Sequence, residues 1–138
     1  MKLKPQILCF TSILFLIGLY FLIIKIINSK SVIKIEYFLV TLLVICTIVS
    51  VLFWSNPIKN SKMHKIDRLV ARITIISFIL YNILFYTSYN ISYLFIILAA
   101  TIAFYTSHYY SSRDWISNEH ILTHGLAHIL CAIALAFT

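Results

Sequence analysis

The stretch QILCFTSILFLIGLYFLIIKII (residues 6–27) runs for 22 residues with one charged side chain, Lys25. A helix of about 20 mostly apolar residues is long enough to cross the hydrocarbon core of a bilayer. Four more stretches of this kind follow, which predicts spans at roughly 6–27, 35–53, 69–87, 91–109 and 118–138. Of the 138 residues, 62% are hydrophobic and 11% charged, whereas a soluble domain carries about 25% charged residues. The chain is therefore predicted to be all-α, an integral membrane bundle of about five transmembrane helices, with 1–138 as a single domain.

The distribution of basic residues between these spans predicts the orientation in the membrane. One side collects seven of them (Lys2, Lys4, Lys59, Lys62, Lys65, Arg68 and Arg113), and the other collects three (Lys25, Lys30 and Lys34). The positive-inside rule then places the N-terminus in the cytoplasm and the C-terminus outside. Because topology accounts for the net charge of +7, the expected partner is membrane lipid and not nucleic acid.

Four aromatic residues fall at the predicted cytoplasmic interface: Trp54, Tyr109, Tyr110 and Trp115. Tryptophan and tyrosine are enriched at this depth, where their amphipathic rings anchor a helix between headgroups and acyl chains. We therefore expect these side chains to act as membrane anchors.

The last apolar stretch, NEHILTHGLAHILCAIALAFT (118–138), carries His120, His124 and His128. A spacing of four residues places all three imidazoles on one stripe of a helix. Ionisable groups within a membrane span usually face the protein interior and mark function. His120 and His128 lie about 12 Å apart along the axis, too far to share one metal ion, but adjacent members of the triplet can share one.

The predicted topology brings other polar residues to the same membrane side as this triplet. Ser50 lies near the end of the second span, and His64 and Asp67 lie at the start of the third. Each has a structural interpretation: Ser50 as a packing residue, Asp67 as a partner of the positive helix terminus, His64 as an interfacial residue. His124 and His128 could likewise form a structural hydrogen-bonded pair.

A metal site is the alternative interpretation of the same residues. Zinc held by His124, His128 and a group from the second or third span, with His64 or Asp67 as candidates, would keep a position for water, as catalytic zinc sites do. The ion would lower the pKa of that water and polarise a carbonyl. Asp67 could then orient or deprotonate the water, and Ser50 could position the oxyanion. A bis-histidine haem site, with His64 as the partner imidazole, is a further alternative.

Three blocks of the chain resemble the CREST superfamily, which comprises alkaline ceramidases, progestin/adiponectin receptors, hemolysin III-like proteins and relatives. The family pattern is S-x-x-x-H at the end of one core helix, an Asp at the start of the next, and H-x-x-x-H in the last. Here SVLFW (50–54) is similar to the first block, HKIDRLVARI (64–73) to the second and HGLAHILCAIA (124–134) to the third. The resemblance implies a metal-dependent hydrolase of lipid amides, with zinc on the histidines and Ser50 and Asp67 as catalytic residues.

The chain departs from that pattern in two ways. Position 54 is tryptophan where the family has its third zinc-binding histidine, and an indole nitrogen is only a donor. Five predicted helices also replace the family's seven. Two functions therefore compete: a reduced zinc-dependent membrane hydrolase, and a catalytically inactive membrane protein of the same origin that serves in binding or assembly.

Overall fold

A computed structural model describes residues 2–28, 34–85 and 91–136 of the chain. In this part the structure is helical and has no strand, which confirms the all-α prediction. The helices are α1 (Ile7–Ile13), α2 (Phe15–Asn28), α3 (Lys34–Ser55), α4 (Lys62–Phe85), α5 (Ile91–Arg113) and α6 (Asn118–Ala136). Since α1 and α2 follow one another as a single span, five helical segments are long and apolar enough to cross a membrane.

The helix boundaries differ from the predicted ones mainly at the start of α4. This helix begins at Lys62 and not near residue 69. Its first turns are polar, so a search for apolar stretches does not detect them. The predicted loop 88–90, the end of the third span at Thr87, the last two residues of the fifth span and Lys30 lie outside the described residues.

The first span is interrupted at Leu14, between α1 and α2. Leu14 N–H donates to the carbonyl of Thr11 at 3.3 Å, and Ile17 N–H donates to the carbonyl of Leu14 at 3.0 Å, both closer in sequence than an α-helical pair. One turn earlier, the hydroxyls of Thr11 and Ser12 both donate to the carbonyl of Leu8. Such back-bonding by Ser and Thr bends helices, which accounts for the break.

The helices form an open arc. α4 packs on α3, α5 packs on α6, and the first span lies between α3 and α6. We call the contact of α1 and α2 with α6 the closed interface. The two ends of the arc, α4 and α5, face each other across a cavity and are bridged near its two ends. Asn82 Nδ2 donates to Tyr93 Oη at 3.0 Å, and Lys59 Nζ donates to the carbonyl of Ser111 at 2.9 Å.

Glycine allows the close approach of helices at the closed interface. A Cβ added to Gly18 of α2 would overlap Leu135 Cβ of α6, whereas one added to Gly125 of α6 would lie 3.4 Å from Leu8 Cδ2, an ordinary contact. Small residues at helix crossings are typical of membrane bundles, where packing and not the hydrophobic effect drives association. Gly18 is thus required by sterics, and Gly125 is not.

One end of the bundle gathers the start of α1, the loop between α3 and α4, and the loop between α5 and α6. We call it the basic end, because it holds the seven basic residues counted above. Ser50, Asp67 and the start of the histidine triplet lie toward this end, as the order of the helices along the chain requires.

Candidate functional site

Two helices at the basic end begin with the same local structure. In NSKMH (60–64) and ISNEH (116–120), a serine precedes the helix and a histidine is its third residue. The histidine N–H donates to the serine Oγ, at 3.1 Å in the first loop and 3.2 Å in the second. The histidine Nδ1 in turn accepts the N–H of the residue before the serine, at 3.0 and 3.3 Å. This is a variant of the capping box, in which histidine replaces the usual glutamate and accepts the N–H of the residue before the N-cap serine.

The residue that opens each box has a left-handed backbone. Asn60 has φ of 64° and Ile116 has φ of 65°. Asparagine tolerates this conformation, but for a β-branched isoleucine it is strained. Ile116 is held there because it packs, with Trp115, against the buried cluster of Leu8, Phe53 and Ile121.

The boxes assign a structural role to two of the predicted site residues, His64 and His120. Since Nδ1 of each ring accepts a backbone N–H, the neutral ring carries its proton on Nε2, which is then a donor and not a metal ligand. His64 also stacks on Phe53, with ring centroids 4.9 Å apart and planes within 3°. His120 is almost fully buried.

The other two histidines of the triplet take their partners from neighbouring helices. Ser107 of α5 hydrogen-bonds to His124 Nδ1 at 3.0 Å, and Thr11 of α1 hydrogen-bonds to His128 Nδ1 at 2.9 Å. The Thr11 hydroxyl also hydrogen-bonds to the carbonyl of Leu8 at 3.1 Å, so His128 is linked through it to the backbone of α1. The two rings lie 4.6 Å apart between centroids.

Trp54 is a buried packing residue, and its predicted role as a membrane anchor is wrong. Its side chain is 1% exposed and contacts His124, with ring centroids 4.8 Å apart. Its Nε1 is buried with no hydrogen-bond partner in the described part of the chain. The interfacial pattern in the sequence could not reveal this, because α1 and α6 cover the ring only in the folded bundle.

Ser50 and Asp67 form a buried pair between α3 and α4. The serine hydroxyl donates to Asp67 Oδ1 at 2.8 Å, and both side chains are almost fully buried. In a nucleophilic serine site the hydroxyl donates to an imidazole base, which a carboxylate then orients. Here the serine donates to the carboxylate directly, and His124 pairs with another serine, so these residues do not form a catalytic triad.

A cavity of about 590 Å³ lies between α4 and α5, with α3 and α6 behind it. All five residues predicted for the site contribute to its wall: Ser50, His64, Asp67, His124 and His128. The structure thus brings to one space residues that are separated by up to 78 positions in the chain. A volume of this size is within the usual range of small-molecule sites, about 300–1,000 Å³.

The cavity wall changes from polar to apolar along its length. Toward the basic end it carries Lys59, Arg68, Arg72 and His108, and toward the other end it carries Phe78, Ile79, Ile97 and Leu135. From Arg68 to Ile79 the rise of α4 is about 16 Å. The polarity of the wall therefore changes along the bundle axis.

The zinc site implied by the resemblance needs three side-chain ligands. The described residues include no group of three His, Cys, Asp or Glu side chains arranged to hold a metal ion. Of the predicted ligands, His64 accepts a backbone N–H through Nδ1, and Oδ1 of Asp67 accepts from Ser50. His124 and His128 are a pair of adjacent imidazoles, with ring centroids 4.6 Å apart.

Several polar residues of the interior were missed by the sequence interpretation. Ser107 pairs with His124, and Arg72 reaches the cavity from within a membrane span. Near the other end of the bundle, Lys25 donates to Tyr81 Oη at 3.3 Å and Tyr81 donates to buried Glu36 at 2.7 Å. Lys25, Glu36 and Arg72 could have been noticed in the sequence, because each is a charged residue within or beside an apolar stretch. Ser107 has no such signal.

Comparison with known protein families, with curated proteins and with solved structures finds no match for this chain. The local geometry described above is therefore the basis for the functional argument.

Proposed function

We propose that this multi-pass membrane protein binds a membrane lipid in the cavity between α4 and α5. The observation that carries the proposal is the amphipathic wall of that cavity, polar at the basic end and apolar beyond it. A lipid has the same distribution of polarity along the same axis. The proposal corresponds to the second function inferred from the sequence, a catalytically inactive membrane protein that serves in binding, and it adds the class of ligand.

The path for entry supports the same proposal. α4 and α5 pack on different neighbours, so the cavity faces the bilayer between them and not water alone. The hydrogen bond from Asn82 to Tyr93 and the one from Lys59 to Ser111 lie near the two ends of this opening. An acyl chain can enter sideways between these bridges without unfolding a helix.

The decisive experiment fills the cavity and measures lipid contact. Ala71 lines the cavity, whereas Ile76 lies on the same helix and is 57% exposed. We expect a photoactivatable phospholipid in vesicles to label cavity residues of α4 and α5 in wild type. Ala71→Trp should abolish most of this labelling, and Ile76→Trp should preserve it. Equal labelling of the cavity residues in both variants would refute the proposal.

A second candidate is the reduced zinc-dependent hydrolase of lipid amides implied by the CREST resemblance. What favours it is that Ser50, Asp67, His124 and His128 share one cavity wall. Its test is elemental analysis of the detergent-purified protein, together with hydrolysis of a ceramide-like amide. About one equivalent of zinc that is lost in His124→Ala, with activity lost in parallel, would establish it. Less than a tenth of an equivalent, unchanged by that substitution, would remove it.

We further propose that the basic end faces the cytoplasm, following the seven-to-three distribution of basic residues. Asn60 at the basic end and Asn28 at the other end are both exposed. In intact cells, a membrane-impermeant thiol reagent should label Asn28→Cys and should label Asn60→Cys only after the membrane is opened. The reverse pattern would invert the orientation.

A further inference from the structure

Two arginines on α4 line the cavity one helical turn apart, Arg68 and Arg72. Within the described residues, neither guanidinium has a hydrogen bond or an ion pair. The acidic residue on the cavity wall, Asp67, accepts its hydrogen bond from Ser50. The two positive charges thus line the same space as one carboxylate, that of Asp67, and within the described residues no hydrogen bond or ion pair joins either of them to it.

The depth of Arg72 makes this arrangement costly without a partner. It precedes Phe85, the last residue of α4, by thirteen residues, or about 20 Å of helix. The hydrocarbon core is about 30 Å thick, so Arg72 lies about 10 Å inside it, on the side of the basic end. An arginine costs about 2.5–3.5 kcal/mol at the centre of a span and less toward its ends, and arginines within spans usually face a cavity or pair with an anion.

A third cation lines the cavity mouth. Lys59 lies in the loop between α3 and α4, and its ammonium group donates to the carbonyl of Ser111. A zwitterionic headgroup would bring a second cation against these groups, whereas a headgroup with net negative charge would not. Guanidinium groups recognise phosphate oxygens with two parallel hydrogen bonds, which gives both strength and orientation.

We propose that Arg68 and Arg72 bind the phosphate of an anionic phospholipid, whose acyl chain occupies the apolar part of the cavity. This inference rests on the proposed lipid-binding function and adds the headgroup class. It predicts selection of phosphatidylglycerol over phosphatidylcholine, and of both over uncharged diacylglycerol.

The test measures lipid binding to the full chain in nonionic detergent by native mass spectrometry. Phosphatidylglycerol, phosphatidylcholine and diacylglycerol are added in turn to wild type, to the double variant Arg68→Gln/Arg72→Gln, and to the control Lys65→Gln. Lys65 is exposed on the same end of α4 but does not line the cavity. The double variant should lose at least about tenfold in affinity for phosphatidylglycerol, since one hydrogen bond to a charged group contributes about 1.5–3 kcal/mol. The control should be unchanged.

The possible outcomes separate this inference from the proposed function. If all three lipids bind equally, and Ala71→Trp blocks them while the double variant does not, lipid binding stands and the headgroup assignment is overturned. If none binds, the proposed function fails. If inorganic phosphate or glycerol phosphate displaces phosphatidylglycerol at equal concentration, the arginines take a soluble phosphate and the lipid assignment is overturned. Thermal unfolding of each variant, with a midpoint unchanged from wild type, verifies that loss of binding is not loss of fold.

Discussion

At the closed interface, the polar side chains of Thr11, Ser12 and His128 are paired with one another. His128 of α6 is matched by hydroxyls of α1, and the helices approach closely enough that Gly18 has no room for a side chain. Between α4 and α5 the opposite holds, because the helices stand apart and Arg68 and Arg72 face a cavity. Unpaired polar groups are costly in a membrane. We therefore infer that His128 stabilises the fold, and that Arg68 and Arg72 bind the proposed anionic lipid.

The largest expected effect concerns the packing of α3 on α1 and α6, next to the closed interface. Trp54→Ala should lower the free energy of unfolding by about 3–5 kcal/mol, because it removes a fully buried aromatic side chain and leaves a void. Equilibrium unfolding in mixed micelles of increasing SDS content measures this. Leu122→Ala is the control, because Leu122 is 62% exposed on α6 and should change little. A loss below about 1 kcal/mol for Trp54→Ala would show that the packing around position 54 is loose.

The next effect separates the two glycines of the closed interface. Gly18→Ala should destabilise by about 1–3 kcal/mol through overlap with Leu135. Gly125→Ala should be neutral or slightly stabilising, because its new Cβ meets Leu8 at an ordinary contact distance and alanine favours the helix by about 1 kcal/mol. The same SDS titration compares them. Equal destabilisation by both substitutions would contradict the assigned packing of α2 on α6.

A smaller effect is expected from the hydrogen bond between Thr11 and His128. A double-mutant cycle of Thr11→Val and His128→Leu should give a coupling energy of about 0.6–1.7 kcal/mol, the range of interhelical hydrogen bonds in membrane bundles. Thr41→Val paired with His128→Leu is the control, since Thr41 is exposed and bonds to its own helix. A cycle that closes at zero would mean that the histidine is held by packing alone.

The smallest expected change in stability is that of a substitution in the cavity. Whether the free energy of unfolding rises or falls distinguishes the two regions. Arg72→Leu should leave the free energy of unfolding in lipid-free detergent unchanged or raise it, because it removes an unpaired charge from a membrane span. The SDS titration reports this directly, with Arg113→Leu as a control outside the cavity. If Arg72→Leu instead destabilises by more than about 1 kcal/mol, Arg72 has a partner within the protein and the two regions do not differ as described.

The sequence alone was sufficient for the class of fold and for the end of the bundle where the polar residues meet. Hydrophobicity over about 20 residues is a local property that a single window detects. Once five spans are placed, alternation across the membrane brings Ser50, Asp67 and His124 to the same end without any knowledge of packing. The pattern S-x-x-H at the starts of α4 and α6 is also a capping signal in the sequence, with histidine in the position that glutamate usually takes.

Only the tertiary structure decided which helices are neighbours and which are separated by a cavity. In a bilayer the residues that face lipid and the residues that face the core are both apolar, so periodicity does not reveal which face of a span is buried. The sequence therefore predicts that Trp54 is an interfacial anchor, whereas in the structure Phe53, Trp115 and His124 pack around it. Likewise, only the gap between α4 and α5 places Arg72 on a cavity wall. Contacts between residues distant in sequence depend on how side-chain shapes fit, and a linear pattern of hydrophobicity does not encode that fit.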